Sequence, residues 1–439
     1  VADRRPRLLY LAFFFPPSRA SGVFRARATA NYFAESGWDV TVLRGPDRFF
    51  EEVAGPSDPA LSATVDPRVR VRPLGMDYAH LRIDVGDYSW LRGNFPELHR
   101  KRREAAEARL FPDRYTSWSF EALREGRRLH RREPFDLVLA TGNPFSAFWC
   151  AWKLGRRGRV PYAVDYRDSW TLNQFENADM FPPEHPAWRW EERILRSAAA
   201  SLHVNDAMRE WHAHKHPVAA DRMQVVMNGW DPDVFEGTDF DGRDPQDLSF
   251  AFVGTLTDVQ PIGSLLDAFQ LMRGRGAHPR STLDFYGHIG FFASTEERIR
   301  ARLGLDREID GVRYRGPVPK TEIATAYAAS DVLVFLNGGS KYVTTGKVFE
   351  YMATGKPIVS VHEKGCAAEE LLRDYPLWFE PASLDAADVA AAMAEAGDAA
   401  RKADPGLAER CREYAQSFTR YRALAPFEEW ARELVGRKQ

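Results

Sequence analysis

At 439 residues, with 44% hydrophobic and 28% charged side chains, the chain is long enough for two or three domains with substantial cores. A formal net charge of −2 gives no electrostatic case for nucleic acid. The three cysteines, Cys150, Cys366 and Cys411, are far apart and form no CxxC pair, which argues against a zinc site or a disulfide framework and fits a reducing, cytoplasmic setting. No apolar run reaches the length of a membrane span.

The chain opens on an apolar run, Leu8–Phe15, stopped by Pro16 and Pro17 with no small-residue cleavage site after it. It reads as a strand buried on both faces rather than a signal peptide. A loop with Ser18, Ser21 and Gly22 follows, then a predicted helix over Phe24–Ser36 ended by Gly37, then the strand Asp39–Leu43. This strand–loop–helix–strand unit is the doubly wound repeat. Between about residues 75 and 133 the pattern breaks down into charged helical stretches, HRKRREAAEAR and REGRRLHRREP. The repeat returns with the strand Phe135–Ala140, a helix over Pro144–Leu154 and strands at Tyr162–Asp165 and Ser201–Val204, and the strings Met223–Met227 and Asn228-Gly229-Trp230-Asp231 mark the end of the first half. The polar segment 237–248 reads as a linker. A second series then predicts strands at Phe250–Gly254, Leu283–Tyr286, Val312–Arg315, Val332–Leu336 and Pro357–Val361. Its helices fall at Ile262–Met272, Glu296–Leu303, Thr321–Ala329, Lys347–Ala353, Ala386–Ala396 and Leu407–Phe418. A last amphipathic helix is expected from about Pro426 to Val435. The division is a first domain over 1–236, a second over 249–418, and a segment 419–439 whose helix packs back on the first.

The sharpest local signal is Ser340–Val359, SKYVTTGKVFEYMATGKPIV. A buried strand runs into a loop with Asn337, Gly338 and Gly339, and a helix starts near Thr344 or Thr345. Threonine is a good N-cap, and Gly346 leaves the backbone open to close approach. Free N–H groups and the helix dipole bind phosphate at such a start. Lys347 adds a full positive charge, and Glu350, one turn on, is placed to accept hydrogen bonds from a ribose diol. The plainer reading, a capped helix with solvated Lys347 and Glu350, stands beside it.

The segment resembles the donor site of retaining glycosyltransferases of family 4, which have the GT-B fold. K-x-x-EYMA-x-GKPIV is similar to a subgroup that writes it P-x-K-x-x-E-Y-x-A-x-G-K-P. Other landmarks fall in family order: Arg167-Asp168-Ser169-Trp170 for R-D-x-W, Asn228-Gly229-Trp230-Asp231 for N-G-V-D, Phe252-Val253-Gly254 for F-x-G, and Gly316-Pro317-Val318 for G-x-V. The resemblance implies an α/β, GT-B protein: two Rossmann-like domains facing across a cleft, the second binding a nucleotide sugar and the first an acceptor. It implies that Lys347 and Glu350 serve catalysis, that Gly254, Thr255, Val318, Tyr342, Thr344, Thr345 and Gly346 hold the nucleotide sugar, and that no metal is needed. Two departures stand out. The family's first glutamate falls on Tyr342, and the basic residues that clamp its diphosphate are missing from Gly254-Thr255-Leu256…Pro261-Ile262-Gly263.

In the first domain, Gly22 is expected to allow close approach at the reacting centre and Arg25 to meet a phosphate or an acidic acceptor. Asn143 is expected at the end of its strand and Asp168 against substrate, with a helix-cap role for Asn143 and an ion-pair role for Asp168 as the alternatives. His203 reads as a core histidine. The acceptor is a sugar, a lipid-linked sugar or a small molecule. The basic stretch from about 98 to 132 reads as a solvated face or as a peripheral contact with anionic lipid at the inner membrane face. The rival from another class is a catalytically silent relative kept as a binding or scaffolding partner. A hydride-transfer enzyme is disfavoured, because PPSRASGVF replaces the glycine-rich fingerprint after the first strand.

Overall fold

A computed structural model describes residues 4–20, 22–53, 57–77, 111–240, 247–290, 293–303 and 309–437. The basic string HRKRREAAEAR and residues 241–246 of the expected linker lie outside them. The chain forms two units, one of residues 1–174, 178–226 and 424–439, the other of 175–177 and 227–423.

The first unit is built on seven parallel strands: β1 (Arg7–Leu11), β2 (Asp39–Arg44), β3 (Arg70–Pro73), β4 (Leu137–Gly142), β5 (Tyr162–Tyr166), β8 (Ala200–His203) and β9 (Met223–Val225). A separate two-residue antiparallel ladder pairs β6 (Leu172–Asn173) with β7 (Ala178–Asp179). The sheet order is β3-β2-β1-β4-β5-β8-β9. The chain therefore winds outward in one direction from β1 and in the other from β4, and the topological switch lies between them. Helix α1 (Val23–Glu35) ends at Gly37, whose φ of 88° is the left-handed conformation glycine adopts freely. Its Ala26, Ala30 and Phe33 pack on Leu8, Tyr10, Val40 and Val42. The helix over Arg420–Gly436 adds Leu424, Phe427, Ala431 and Val435 to the same core, at the spacing of one helical face. Phe427 meets Phe33 with ring centroids 5.8 Å apart, and Glu428 accepts a 2.6 Å bond from the indole of Trp38. That helix starts six residues before the expected Pro426, which is tolerated inside it because the flanking Leu424 and Phe427 are buried.

The second unit repeats the plan with β10 (Ser249–Val253), β11 (Thr282–Tyr286), β12 (Val312–Gly316), β13 (Val332–Leu336), β14 (Ile358–Val361) and β15 (Trp378–Phe379). The order is β12-β11-β10-β13-β14-β15, and its switch lies between β10 and β13. Alternation divides the core in two. Phe250 and Phe252 face one side of the sheet with Leu265, Phe269 and Met393, while Ala251 and Val253 face the other with Phe349, Tyr351 and Tyr327. The expected helix over Thr321–Ala329 opens as a 3₁₀ turn, Lys320–Glu322, before its α-helical part, Ile323–Ala328. Among the described residues no helix is long and apolar enough to cross a membrane.

Candidate functional site

The carboxyl ends of β10 and β13 flank the switch of the second unit, the position where open α/β sheets bind ligands. Helix α2 (Gly346–Ala353) begins there. Its Tyr351 ties it to the sheet: the Tyr351 hydroxyl accepts from the Val253 amide at 2.9 Å and lies 3.2 Å from the Val253 carbonyl. Thr345 is the N-cap residue, but its side chain makes no capping bond, contrary to expectation, and its Oγ1 is buried with no hydrogen-bond partner. The first amides of the helix and this hydroxyl therefore form a cluster of donors without an intrahelical acceptor.

Lys347 lies beside them. A methyl group on Gly254 would come within 2.1 Å of its Nζ, so only glycine leaves room for the lysine at the end of β10. Gly254 has φ 149° and Gly287 φ 136°, and a methyl group on Gly287 would meet the Gly254 carbonyl oxygen at 2.0 Å. Both positions therefore demand glycine for backbone and for space. Lys347 Nζ sits 4.6 Å from the centroid of the Phe252 ring and makes no hydrogen bond or salt bridge to any described residue. Burial pulls its pKa down to about 8, with Glu350 opposing the shift and Lys320 adding to it. A desolvated ammonium without a bonded counter-ion gains most from an anion that enters beside it.

Glu350 is placed differently from expectation. It is buried, Lys320 Nζ donates to one carboxylate oxygen, and Tyr327 Oη donates to the other at 2.6 Å. Burial pushes its pKa up, but Lys320, Tyr327 and the charge of Arg420 outweigh burial and hold it below the usual carboxylate range. Glu350 thus organises protein groups first, and a ribose diol would have to share it. The other expected positions sit around the helix start. Thr344 is buried, and its carbonyl accepts from Asn228 Nδ2 at 2.8 Å. Tyr342 is buried under Lys341, whose Nζ lies 5.1 Å from the ring centroid. Thr255 follows Gly254 and its carbonyl accepts from Gln260, while Val318 packs against the Tyr351 side of the core.

Three groups near this site are not evident from motif or spacing. Lys320 and Tyr327 are the partners of Glu350. Arg420 is buried, with Nη2 4.0 Å from where a methyl group on Gly346 would lie. It is placed by a backbone ladder in which Trp230 N donates to Phe418 O at 3.0 Å and Arg420 N to Trp230 O at 2.8 Å. Asn228-Gly229-Trp230 is therefore a splint. Asn228 holds the loop before the helix, Gly229 lets Phe418 approach, and Trp230 Nε1 donates to Ala415 O at 2.8 Å. The fold explains Gly355-Lys356-Pro357 as well: Gly355 has φ 73° and Lys356 Nζ binds the carbonyls of Ala328 and Ser330, so the motif closes two helix ends.

The switch of the first unit is built on a different principle. Gly22 leads into α1 after β1, and Asn143 is exposed at the end of β4, as their sequence positions require. Arg25 does not project toward a ligand. It is buried, and its guanidinium grips Asp165 with Nε–Oδ2 2.9 Å and Nη2–Oδ1 2.7 Å, while Nη1 donates to Val226 O. The reason is the carboxylate: Asp165, on buried β5, needs a countercharge, and the first turn of α1 supplies it. The space beside Gly22 is taken by Arg167, whose Nη1 lies 1.7 Å from where a methyl group would be. Arg167 in turn pairs with Asp168 at 2.5 Å, so the ion-pair role describes Asp168. His203 is fully buried, stacked on Tyr166, and bonded to Ser201 at 3.1 Å; burial and then His212 hold it neutral, as a core histidine.

Comparison with known proteins agrees with this architecture. Residues 22–229 match the profile of the glycosyl transferase 4-like domain, and residues 247–398 that of glycosyl transferases group 1. Among solved structures, the chain is similar to the sucrose-phosphate synthase of Thermosynechococcus elongatus (15% identity, TM-score 0.67, covering 98% of this chain and 100% of that one). It is also similar to a glycosyltransferase from Rickettsia africae (11%, 0.66, 98% and 99%) and to Anabaena HepE in complex with UDP and glucose (16%, 0.60, 98% and 100%). No curated protein matches it significantly. With a glycosyl transferase 4-like domain followed by a group 1 domain, on two parallel α/β units, the chain belongs to the GT-B glycosyltransferase superfamily.

Proposed function

We propose that the protein is a retaining glycosyltransferase that moves a sugar from a nucleoside diphosphate to an acceptor hydroxyl, with the diphosphate bound at the start of α2. The observation that carries the reading is Lys347: a desolvated ammonium with no bonded partner among the described residues, beside Gly254, the unpartnered Thr345 hydroxyl and the free amides of a helix start. Preorganised donors of this kind stabilise the charge that develops on a departing diphosphate, and such stabilisation dominates catalysis in many enzymes. Arg420, buried beside Gly346, adds positive potential and with Lys347 takes over from the basic pair missing after β10. HepE was solved with UDP and glucose, which supports a nucleotide sugar as donor. Retention rests on the family resemblance, with the leaving phosphate oxygen taking the acceptor proton. No protein nucleophile and no metal then enter. The acceptor, a sugar, lipid-linked sugar or small molecule, belongs to the first unit, with Asn143 the exposed polar group at its switch. The working place of such an enzyme is the cytoplasm, with or without peripheral contact to the inner membrane face.

One observation favours a second reading, a silent relative that binds rather than transfers. Both Glu350 oxygens are held by Lys320 and Tyr327, and Tyr342 stands where the family has its first glutamate. A thermal-melt screen with UDP, GDP, dTDP and ADP, followed by an assay for released nucleoside diphosphate, decides. A shifted midpoint plus release with an acceptor supports the transferase, a shift without release for any acceptor supports the silent relative, and no shift with any nucleotide removes the donor site.

A further inference from the structure

The first unit buries a cluster of titratable side chains that the donor site does not use. Glu191, on the helix Pro186–Ser197, is fully buried, as is His212, on the helix Asp206–Lys215, and His216 caps the end of that second helix. One Glu191 oxygen, Oε2, accepts from the Thr171 hydroxyl and lies 3.0 Å from His216 Nε2. The other, Oε1, has no hydrogen-bond partner among the described residues and lies 3.8 Å from His212 Nε2. A buried carboxylate oxygen left open in this way can take one more donor.

His212 can be that donor only when it is protonated. Its Nδ1 lies 2.9 Å from the Met208 carbonyl, which can only accept, so Nδ1 carries the hydrogen of the neutral ring. Nε2 is then bare, and the Ser169 hydroxyl donates to it at 3.2 Å. Ser169 Oγ in turn accepts from the Leu172 amide at 3.1 Å. The loop 167–174, which leaves the carboxyl end of β5, is thus fastened at two points, Ser169 to His212 and Thr171 to Glu191. It carries Arg167, which fills the space beside Gly22, and Asp168, the partner of Arg167.

A proton on His212 changes this balance. Nε2–H becomes a charged donor, and its charge-assisted bond to the open Glu191 oxygen is roughly twice as strong as a neutral bond to Ser169. The other groups around the ring do not oppose the change. His203 on β8 and Tyr166 on β5, with ring centroids 4.7 and 4.6 Å away, are held neutral by burial. Arg209, on the same helix as His212, pairs with Asp206 and Glu210, and Asp221 and Arg222 on the following 3₁₀ turn pair with each other. Burial lowers the His212 pKa, with Glu191 opposing the shift and His216 adding to it, so the ring is neutral near about pH 7 and takes its proton in acid.

We propose that Glu191 and His212 are positioning residues for the crevice of the first unit: while His212 is neutral they hold the loop 167–174, and with it Arg167 and Asp168, in place, and a proton on His212 releases the loop. This hold belongs to the first unit alone and stands apart from the donor-site reading.

Hydrogen–deuterium exchange of the full chain tests it, read by mass spectrometry at about pH 7.5 and about pH 5 and scaled for the intrinsic rate at each pH. In the unchanged chain the amides of 167–174 should lose about 3- to 10-fold of their protection at the lower pH, the effect of one hydrogen bond, while β1 and β4 keep theirs. His212→Gln cannot take the proton and Ser169→Ala has no hydroxyl to release, so in both variants the loop should be equally protected at the two pH values. Ser169→Ala should in addition be about 3- to 10-fold less protected at the higher pH, and it carries the test alone if His212→Gln does not fold. A fall confined to the loop and lost in the variants supports the proposal. A purely structural role would lower protection in the variants and leave the unchanged chain flat with pH, which overturns it. So does a fall that β1 and β4 share equally, or one that persists in Ser169→Ala.

Discussion

The two sheets share one winding plan and differ in what fills the switch. In the first unit the central cation, Arg25, is answered from within by Asp165, and Arg167 is answered by Asp168. In the second, Lys347 has no bonded counter-ion among the described residues and Thr345 no partner for its hydroxyl. The same topology thus yields one crevice that is electrostatically closed and one that leaves its charge for a ligand. A cation at a strand end is therefore not by itself a binding residue, and what decides is whether the fold has already supplied its anion.

The largest way to break that contrast is in the first unit. Asp165→Asn leaves Arg25 buried without its counter-ion and should cost about 3–5 kcal/mol of stability, read as a lowered denaturation midpoint. A loss under about 1 kcal/mol would mean that the Arg25–Asp165 pair is not what closes that crevice. Gly254→Ala should be next. It places a side chain at φ 149° and pushes Lys347 aside, so about 1–3 kcal/mol of stability should go, together with any nucleotide-induced shift.

The contrast also shows what was legible in the sequence. Strands such as VLVFL and FAFVG announce themselves because parallel strands buried on both faces are continuous apolar runs. The helix start at Gly346 was legible for the same local reason, since a glycine and a lysine follow a loop. Arg25 was misread because its partner is 140 positions away and acts only once β5 is laid beside β4. Lys320 and Tyr327 escaped because they reach Glu350 across 30 and 23 residues, and Arg420 because a ladder with Trp230 places it. Residue type and spacing report helix starts and strand ends, but not which charges pair after folding.

The remaining predictions sharpen the comparison with smaller effects. Lys347 has a folded pKa of about 8, below its ordinary value, so between that pH and the unfolded lysine pKa the unfolded chain binds more protons. The unliganded protein should therefore gain stability as pH rises through that window, while affinity for a nucleoside diphosphate falls, by up to about tenfold per pH unit above 8. Affinity that does not change between about pH 7 and 9.5 would show that Lys347 keeps its proton or does not face the anion. Tyr327→Phe removes one donor to Glu350 and should cost about 1 kcal/mol, with the Lys320 pair retained. Equilibrium unfolding in denaturant reads this, and no change would mean that Tyr327 contributes nothing net to holding Glu350.

The central claim is that the open charge of the second unit is the donor site. It is tested most directly by calorimetric titration of the nucleoside diphosphate found in the melt screen into the unchanged chain, Lys347→Ala and Asn143→Ala. The account predicts that Lys347→Ala weakens binding by about 10- to 100-fold, while Asn143→Ala, at the switch of the first unit, leaves it unchanged. Unchanged affinity in Lys347→Ala, or loss in Asn143→Ala alone, would contradict it.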